Sequence, residues 1–286
     1  MYVIFKIKDK EFGFDTGIIV KFFLIILAII LILNISLVGA IFSNTNRFIF
    51  GSARRYEKNL KILKNGVEQY QNEIVLNNIK SGTERSRLIH EILEGTPEIF
   101  YIDSMRYKYY NDTTVVYVSY RYSKEALENA KIDYEKRIDK ICQNIDSNLS
   151  DYKKVLYIHD YIADNFYYDY STEDTIHDAY RMLLKGKGVC SAYANLFKAL
   201  CNKVGLKCEV VWTKLDNHDW NVVKINGFWY NVDVTWDDTG AGDKEYFLVP
   251  DTLIWGGGHR QWTNCGKYKI SCFNYWYAFK KNSIKK

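Results

Sequence analysis

Asn226-Gly227 stands between two apolar runs, His218 to Ile225 and Phe228 to Thr235, and no other pair of residues restricts the fold of this chain so closely. Both central positions of a type I′ turn need positive φ, which asparagine and glycine tolerate, so the runs are expected as the strands of a tight hairpin. A two-residue turn sets the register. Ile225 faces Phe228, Val223 faces Tyr230, Asn221 faces Val232 and His218 faces Thr235. His218 and Asp233 then lie on one face as diagonal neighbours, about 7 Å apart at the backbone and within reach of an imidazole to carboxylate hydrogen bond. A slip of one residue would put them on opposite faces. Leu206 to Thr213 reads as a further strand just before the hairpin.

Upstream, Gly186 and Gly188 interrupt the pattern before Cys190, and Ser191 to Leu200 then carries Tyr193, Leu196, Phe197 and Leu200 at helical spacing. Gly205 stands where a C-terminal cap is expected. Cys190 therefore opens a helix, where unpaired N–H groups and the positive end of the dipole favour a thiolate. The same amides suit an oxyanion. Taken singly, a buried cysteine is ordinary core filling, and His218 and Asp233 are ordinary polar residues at strand ends. Together they are what covalent thiol chemistry at a carbonyl requires: a sulfur nucleophile, an imidazole that takes and returns the proton, and a carboxylate that holds its tautomer.

These motifs resemble the transglutaminase-like superfamily. The matching pieces are Gly188-Val189-Cys190 followed by Tyr193-Ala194, then His218-Asp219-Trp220-Asn221, then Trp229-Tyr230-Asn231-Val232-Asp233-Val234-Thr235-Trp236-Asp237-Asp238. Thr96-Pro97-Glu98-Ile99-Phe100-Tyr101, Lys153 to Ile162 and Tyr246-Phe247-Leu248-Val249 are similar to its bacterial branch, so the likeness runs from about Arg85 to Phe273. One departure is Asp219, where that branch usually has alanine. By strand alternation it points away from His218. The resemblance implies an α+β fold with a papain-like core, a nucleophile helix packed on an antiparallel sheet. It also implies Cys190 as nucleophile, His218 as base and acid, and Asp233 as its orienter. The substrate implied is a peptide or protein amide, attacked to give an acyl-enzyme. Water would then make the protein an amidase or protease, and an amine would make it a transglutaminase. A non-catalytic envelope module that keeps the fold is the alternative.

Ile18 to Phe42 is the second strong signal: apart from Lys21, Asn34 and Ser36 it is apolar over about the 20 residues that cross a bilayer. An uncleaved anchor over residues 18–42 is expected, with a signal peptide cleaved near Val38-Gly39-Ala40 as the alternative. Basic residues flank both sides of the span and their count mildly favours a cytoplasmic C-terminus, but large domains translocate largely regardless of such charges, so the extracytoplasmic placement of the domain rests on the resemblance. Beyond it, Leu60, Leu63, Val67, Tyr70 and Ile74 read as a helical seam. A short helix around Arg85 to Leu93, a hairpin from Ser104 to Tyr120 turning at Asn111-Asp112, a long helix after Ser123 and another capped by Ser150 follow. The chain thus divides into an N-terminal segment and anchor (1–44), a juxtamembrane helical stalk (45–84), a supporting α/β region (85–149) and the core (150–280).

Several further residues are candidates for substrate contact. Tyr180 has a hydroxyl to lend to an oxyanion, Trp220 and Trp236 have surfaces to line an acyl-donor groove, and His259, after Gly256-Gly257-Gly258, sits in a loop able to reach the cleft. For the aromatics, core packing is the competing role. His159, among apolar helix neighbours, is read as structural. The formal charge of +5 comes from 39 basic and 34 acidic residues, without a dense basic stripe, which argues against a nucleic-acid partner. No cofactor or metal is expected. Cys201 and Cys208 are not spaced as zinc ligands, and the acidic residues Asp237, Asp238, Asp243 and Glu245 lack the order of a calcium loop and read as a solvated turn. A disulfide between Cys265 and Cys272 would suit an oxidising compartment.

Overall fold

The computed structural model describes residues 2–7, 10–15, 53–171, 173–213, 217–238, 244–254 and 259. They belong to two compact units, Met1–Lys58 and Asn59–Lys286. In the first, Tyr2–Ile7 (β1) and Lys10–Asp15 (β2) form an antiparallel hairpin. The expected membrane span, 18–42, lies outside the described residues, as does the Cys265 and Cys272 pair. Among the described residues no helix is long and apolar enough to cross a membrane.

In the second unit, residues 59–68, the end of a helix that starts at 53 (α1), bury Leu63 and Val67. The seam expected to continue through Tyr70 and Ile74 does not. Tyr70 takes φ 62, and Ile74 lies in strand Glu73–Leu76 (β3), opposite Val116. Ile74 and Leu76 are buried while Glu73 and Val75 are exposed, the alternation of a half-buried strand. An apolar residue four positions on served the period of two as well as that of 3.6. Ile102–Tyr110 (β4) and Thr113–Tyr120 (β5) form the hairpin at Asn111-Asp112, and the sheet order is β3-β5-β4.

Three helices begin as the sequence indicates, each on a serine whose hydroxyl accepts the amide three residues on. They are Gly82–Leu93 (α2, Ser81), Lys124–Cys142 (α3, Ser123) and Asp151–Asn165 (α4, Ser150). A short helix, Ala179–Lys185 (α5), ends at Gly186, whose φ of 73 is left-handed. Tyr167–Tyr168 (β6) and Lys187–Gly188 (β7) then pair in parallel. Gly188 is required by close approach: a Cβ there would sit 2.6 Å from the Ala192 Cβ and 3.3 Å from the Ile176 carbonyl oxygen. The bare backbone lets the chain turn directly into the next helix, Cys190–Lys203 (α6).

Nearly every residue of α6 is buried, which marks a central helix enclosed on all sides. It packs between α3, α4 and α5 and against the main sheet. That sheet has the order β11-β10-β9-β8, built from Lys207–Thr213 (β8), His218–Ile225 (β9), Phe228–Val232 (β10) and Phe247–Val249 (β11). The hairpin register is the expected one, with Phe228 opposite Ile225, Tyr230 opposite Val223 and Val232 opposite Asn221. On one face Asn221 donates to the Ala194 carbonyl of α6 at 2.9 Å. On the other, Trp220 and Val222 join Val211, Val249 and Ile254 in a core cluster.

The strand expected to reach Thr235 stops at Val232. Asp233 leaves the sheet and its carboxylate accepts the Trp236 amide at 3.2 Å, capping a single helical turn, Val234–Trp236 (α7). On the β10 side the pairing therefore ends at Asn221, short of His218, whose strand partner is Thr213 of β8 on the other edge. A capping aspartate competes with strand continuation, and here the cap prevails. A final turn, Asp251–Ile254 (α8), covers the sheet.

Candidate functional site

His218 is the first residue of β9 and Asp233 the first beyond β10, so the hairpin brings them to the same sheet end. His218 Nε2 donates to Asp233 Oδ2 at 2.6 Å, and both residues are buried. With Nε2 engaged, Nδ1 is the nitrogen left for the Cys190 sulfur, which acts on the same imidazole as hydrogen-bond partner and as charge. Burial disfavours the imidazolium, but the Asp233 carboxylate and then the Cys190 sulfur outweigh it and hold the His218 pKa at about 10. Burial likewise opposes ionisation of Asp233, yet His218 and then His259 bring it down to about 2. A carboxylate and an imidazolium thus face each other in a dry place, a pair that persists because each compensates the other.

Cys190 is the first residue of α6. The preceding Val189 makes no side-chain cap, so the helix start is left to whatever meets its amides. A thiol at an uncapped helix start, beside an imidazole held by a carboxylate, is chemically equipped for attack on a carbonyl.

His259 is brought to this group, but not to line a cleft. It is buried, its Nε2 donates to Asp233 Oδ2 at 2.7 Å, and its ring packs on Trp220, Trp236 and Tyr246. The other substrate candidates fare differently. Tyr180 donates its hydroxyl to Asp133 of α3 at 3.0 Å and packs on Phe100 and Tyr134, because α5 turns it toward the supporting helices. That withdraws it from any oxyanion at Cys190. Trp220 lies in the core, its indole N–H donating to Asn231 Oδ1 at 3.0 Å, and offers no groove wall. Trp236 alone of the four keeps a partly exposed surface beside His218.

Tyr168 has no counterpart among the sequence candidates. Burial first, and then the charge of Cys190, raise its pKa, which puts its hydroxyl within electrostatic reach of the sulfur. The parallel pairing of β6 with β7, two residues ahead of Cys190, brings it there. A two-residue strand leaves no periodic trace in a sequence.

Elsewhere, His159 is structural, as expected. Its Nδ1 meets Asp160 and its Nε2 meets Asp237, both at 2.9 Å. Two residues of the expected solvated acidic turn depart from it: Asp237 is buried under His159 and also accepts the Tyr246 amide, and Asp238 accepts the Tyr193 hydroxyl at 2.6 Å, while Glu245 is exposed and Asp243 lies outside the described residues. Asp219 points away from His218, as alternation requires, and meets His90 Nε2 at 3.0 Å. Burial and then the neighbouring Asp219 push Glu94 up to about 7. His177 Nδ1 lies 3.0 Å from the Ser191 hydroxyl. Cys142, Cys190, Cys201 and Cys208 are free thiols.

Residues 139–234 match the Transglutaminase-like superfamily, a stretch that takes in Cys190, His218 and Asp233. No curated protein matches the chain. Among solved structures, a TGase is similar at 16% identity and a TM-score of 0.35, over 59% of this chain and 52% of that one. A candidate cysteine protease from Cytophaga hutchinsonii is similar at 18% identity and a TM-score of 0.30, over 51% and 63%. Menin, whose structure reveals the binding site for Mixed Lineage Leukemia (MLL) protein, is similar at 17% identity and a TM-score of 0.32, over 43% and 28%. The chain spans about half the length of the TGase it matches.

Proposed function

We propose, from the match of residues 139–234 to the transglutaminase-like superfamily, that the protein is a membrane-anchored cysteine amidase or acyltransferase acting on peptide or protein amides. The observation that carries this reading is the 2.6 Å bond from His218 Nε2 to Asp233 Oδ2, with the Cys190 sulfur acting on the same ring. The Cys190 thiolate attacks the carbonyl carbon, the C–N bond breaks, and the imidazolium of His218 gives its proton to the departing amine. Backbone amides at the start of α6 receive the oxyanion. The thioester left on Cys190 is then attacked by water or by an amine, whose proton passes to His218 as the C–S bond breaks. The first acceptor yields a carboxylic acid and the second a new amide.

A peptide library containing glutamine, offered with and without a fluorescent primary amine, tests this reading. Mass spectrometry is expected to find acyl groups on the Cys190 peptide. The released products separate hydrolysis from transfer. A chain that never carries an acyl group at Cys190 would instead be a binding or structural module.

Residues 18–42 are proposed as the anchor, with the catalytic domain on the extracytoplasmic side. The full chain should then stay with membranes through alkaline carbonate extraction and be digested by protease added to spheroplasts. A protein washed off by carbonate, or one protected until lysis, would count against anchor or orientation respectively.

A further inference from the structure

Taking the reading above as its basis, we propose that His259 is a positioning residue for His218, acting through Asp233. A single carboxylate oxygen, Asp233 Oδ2, accepts from two imidazoles, His218 Nε2 at 2.6 Å and His259 Nε2 at 2.7 Å. Oδ1 accepts the Trp236 amide at 3.2 Å. Three donors from three stretches of chain thus hold the carboxylate in one orientation.

The way His259 is buried separates this role from simple packing. His159, the structural histidine of α4, has both ring nitrogens bonded, to Asp160 and Asp237. His259 is more enclosed still, with Trp220 and Trp236 at ring distances of 4.7 Å and Tyr246 at 5.5 Å, yet its Nδ1 meets no partner among the described residues. A buried nitrogen left unpaired costs stability, whereas a phenyl ring would fill the same aromatic cage without that cost. What distinguishes histidine from phenylalanine there is the N–H that reaches Asp233.

That second donor has a chemical consequence. It draws on the charge of Oδ2 that His218 otherwise faces alone, so the imidazolium of His218 is held but remains able to release its proton to a leaving group. The titratable groups facing His218 are Cys190 from α6, Asp233 ahead of α7, and His259. Tyr168 from β6 and Tyr246 ahead of β11 act on the same charges. Asp219, next to His218 in the chain, faces His90 and Glu94 on the other side of the strand.

The rate of Cys190 alkylation by iodoacetamide, followed against pH by mass spectrometry of the Cys190 peptide, reports the state of His218 without needing a substrate. In the unsubstituted protein an alkaline inflection marks loss of the His218 proton. In His259→Phe the cage stays filled but the donor is gone. The inflection should move up by roughly half a unit to one unit, the size expected when a charge-assisted bond is removed. His259→Gln, whose carboxamide N–H can reach Asp233, should return it to within about a third of that shift. An inflection that stays put or falls in a folded His259→Phe protein overturns the proposal, and so does a Gln variant that behaves as Phe. The underlying reading fails separately. If His218→Ala leaves the Cys190 profile unchanged, the histidine is not the partner of the thiol at all.

Discussion

Asp233→Ala is expected to destabilise the protein by about 3–5 kcal/mol, the usual cost of removing one partner from a buried ion pair. Its carboxylate is the acceptor for His218 Nε2, His259 Nε2 and the Trp236 amide, so alanine leaves three donors in a buried place with nothing to receive them. The turn Val234–Trp236 also loses its cap, part of the same cost. Chemistry should suffer further. Without the carboxylate the imidazole is no longer held with Nδ1 toward Cys190, and acylation by an activated ester such as p-nitrophenyl acetate should fall by roughly 10³ to 10⁴ fold per folded molecule. Urea unfolding gives the first number and nitrophenolate release the second. A variant as stable and as reactive as the parent would mean that Asp233 neither holds the site nor serves it.

Cys190→Ala separates chemistry from stability. The change removes one sulfur from a helix start that has no side-chain cap, so the unfolding free energy should move little, within about 1 kcal/mol. Acylation should disappear: no acetyl thioester by mass spectrometry, and a turnover loss of about 10⁴ fold or more. Among the described cysteines, Cys142 and Cys201 are poor substitutes. Burial pushes Cys142 up to about 11, and burial together with Cys208 pushes Cys201 well above the ordinary thiol range. Acetylation that persists in the alanine variant and maps to another cysteine would show that the nucleophile has been misassigned.

Legibility in the sequence followed the range of the interaction. The register of β9 on β10 was readable because a type I′ turn depends on two residues and side-chain alternation on the next few. The start of α6 was readable for a similar reason, since Gly186 ends one helix by taking φ 73 and Gly188 admits the next by having no side chain. The serine caps of α2, α3 and α4 span three residues each. Where two local signals competed, reading failed. Ile74 fits a helical seam and a strand alike, and its pairing with Val116 decided for the strand. Asp233 belongs equally to a strand end or a helix cap, and the cap was taken.

From its sequence alone this protein determined the helix start at Cys190 and the hairpin register that leaves His218 and Asp233 near one end of the sheet. Those relations are local, enforced by backbone sterics within a few residues. Only the tertiary structure decided what each polar side chain meets. The Tyr180 hydroxyl went to Asp133, 47 residues away, and His259 went to Asp233, 26 residues away, where the sequence offered both as substrate contacts. The Asp237 carboxylate was buried under His159 rather than left in water. The reason is physical. A buried donor must find an acceptor, and the nearest acceptor in space is set by how helices and sheet close over one another, a distance that spacing along the chain does not contain.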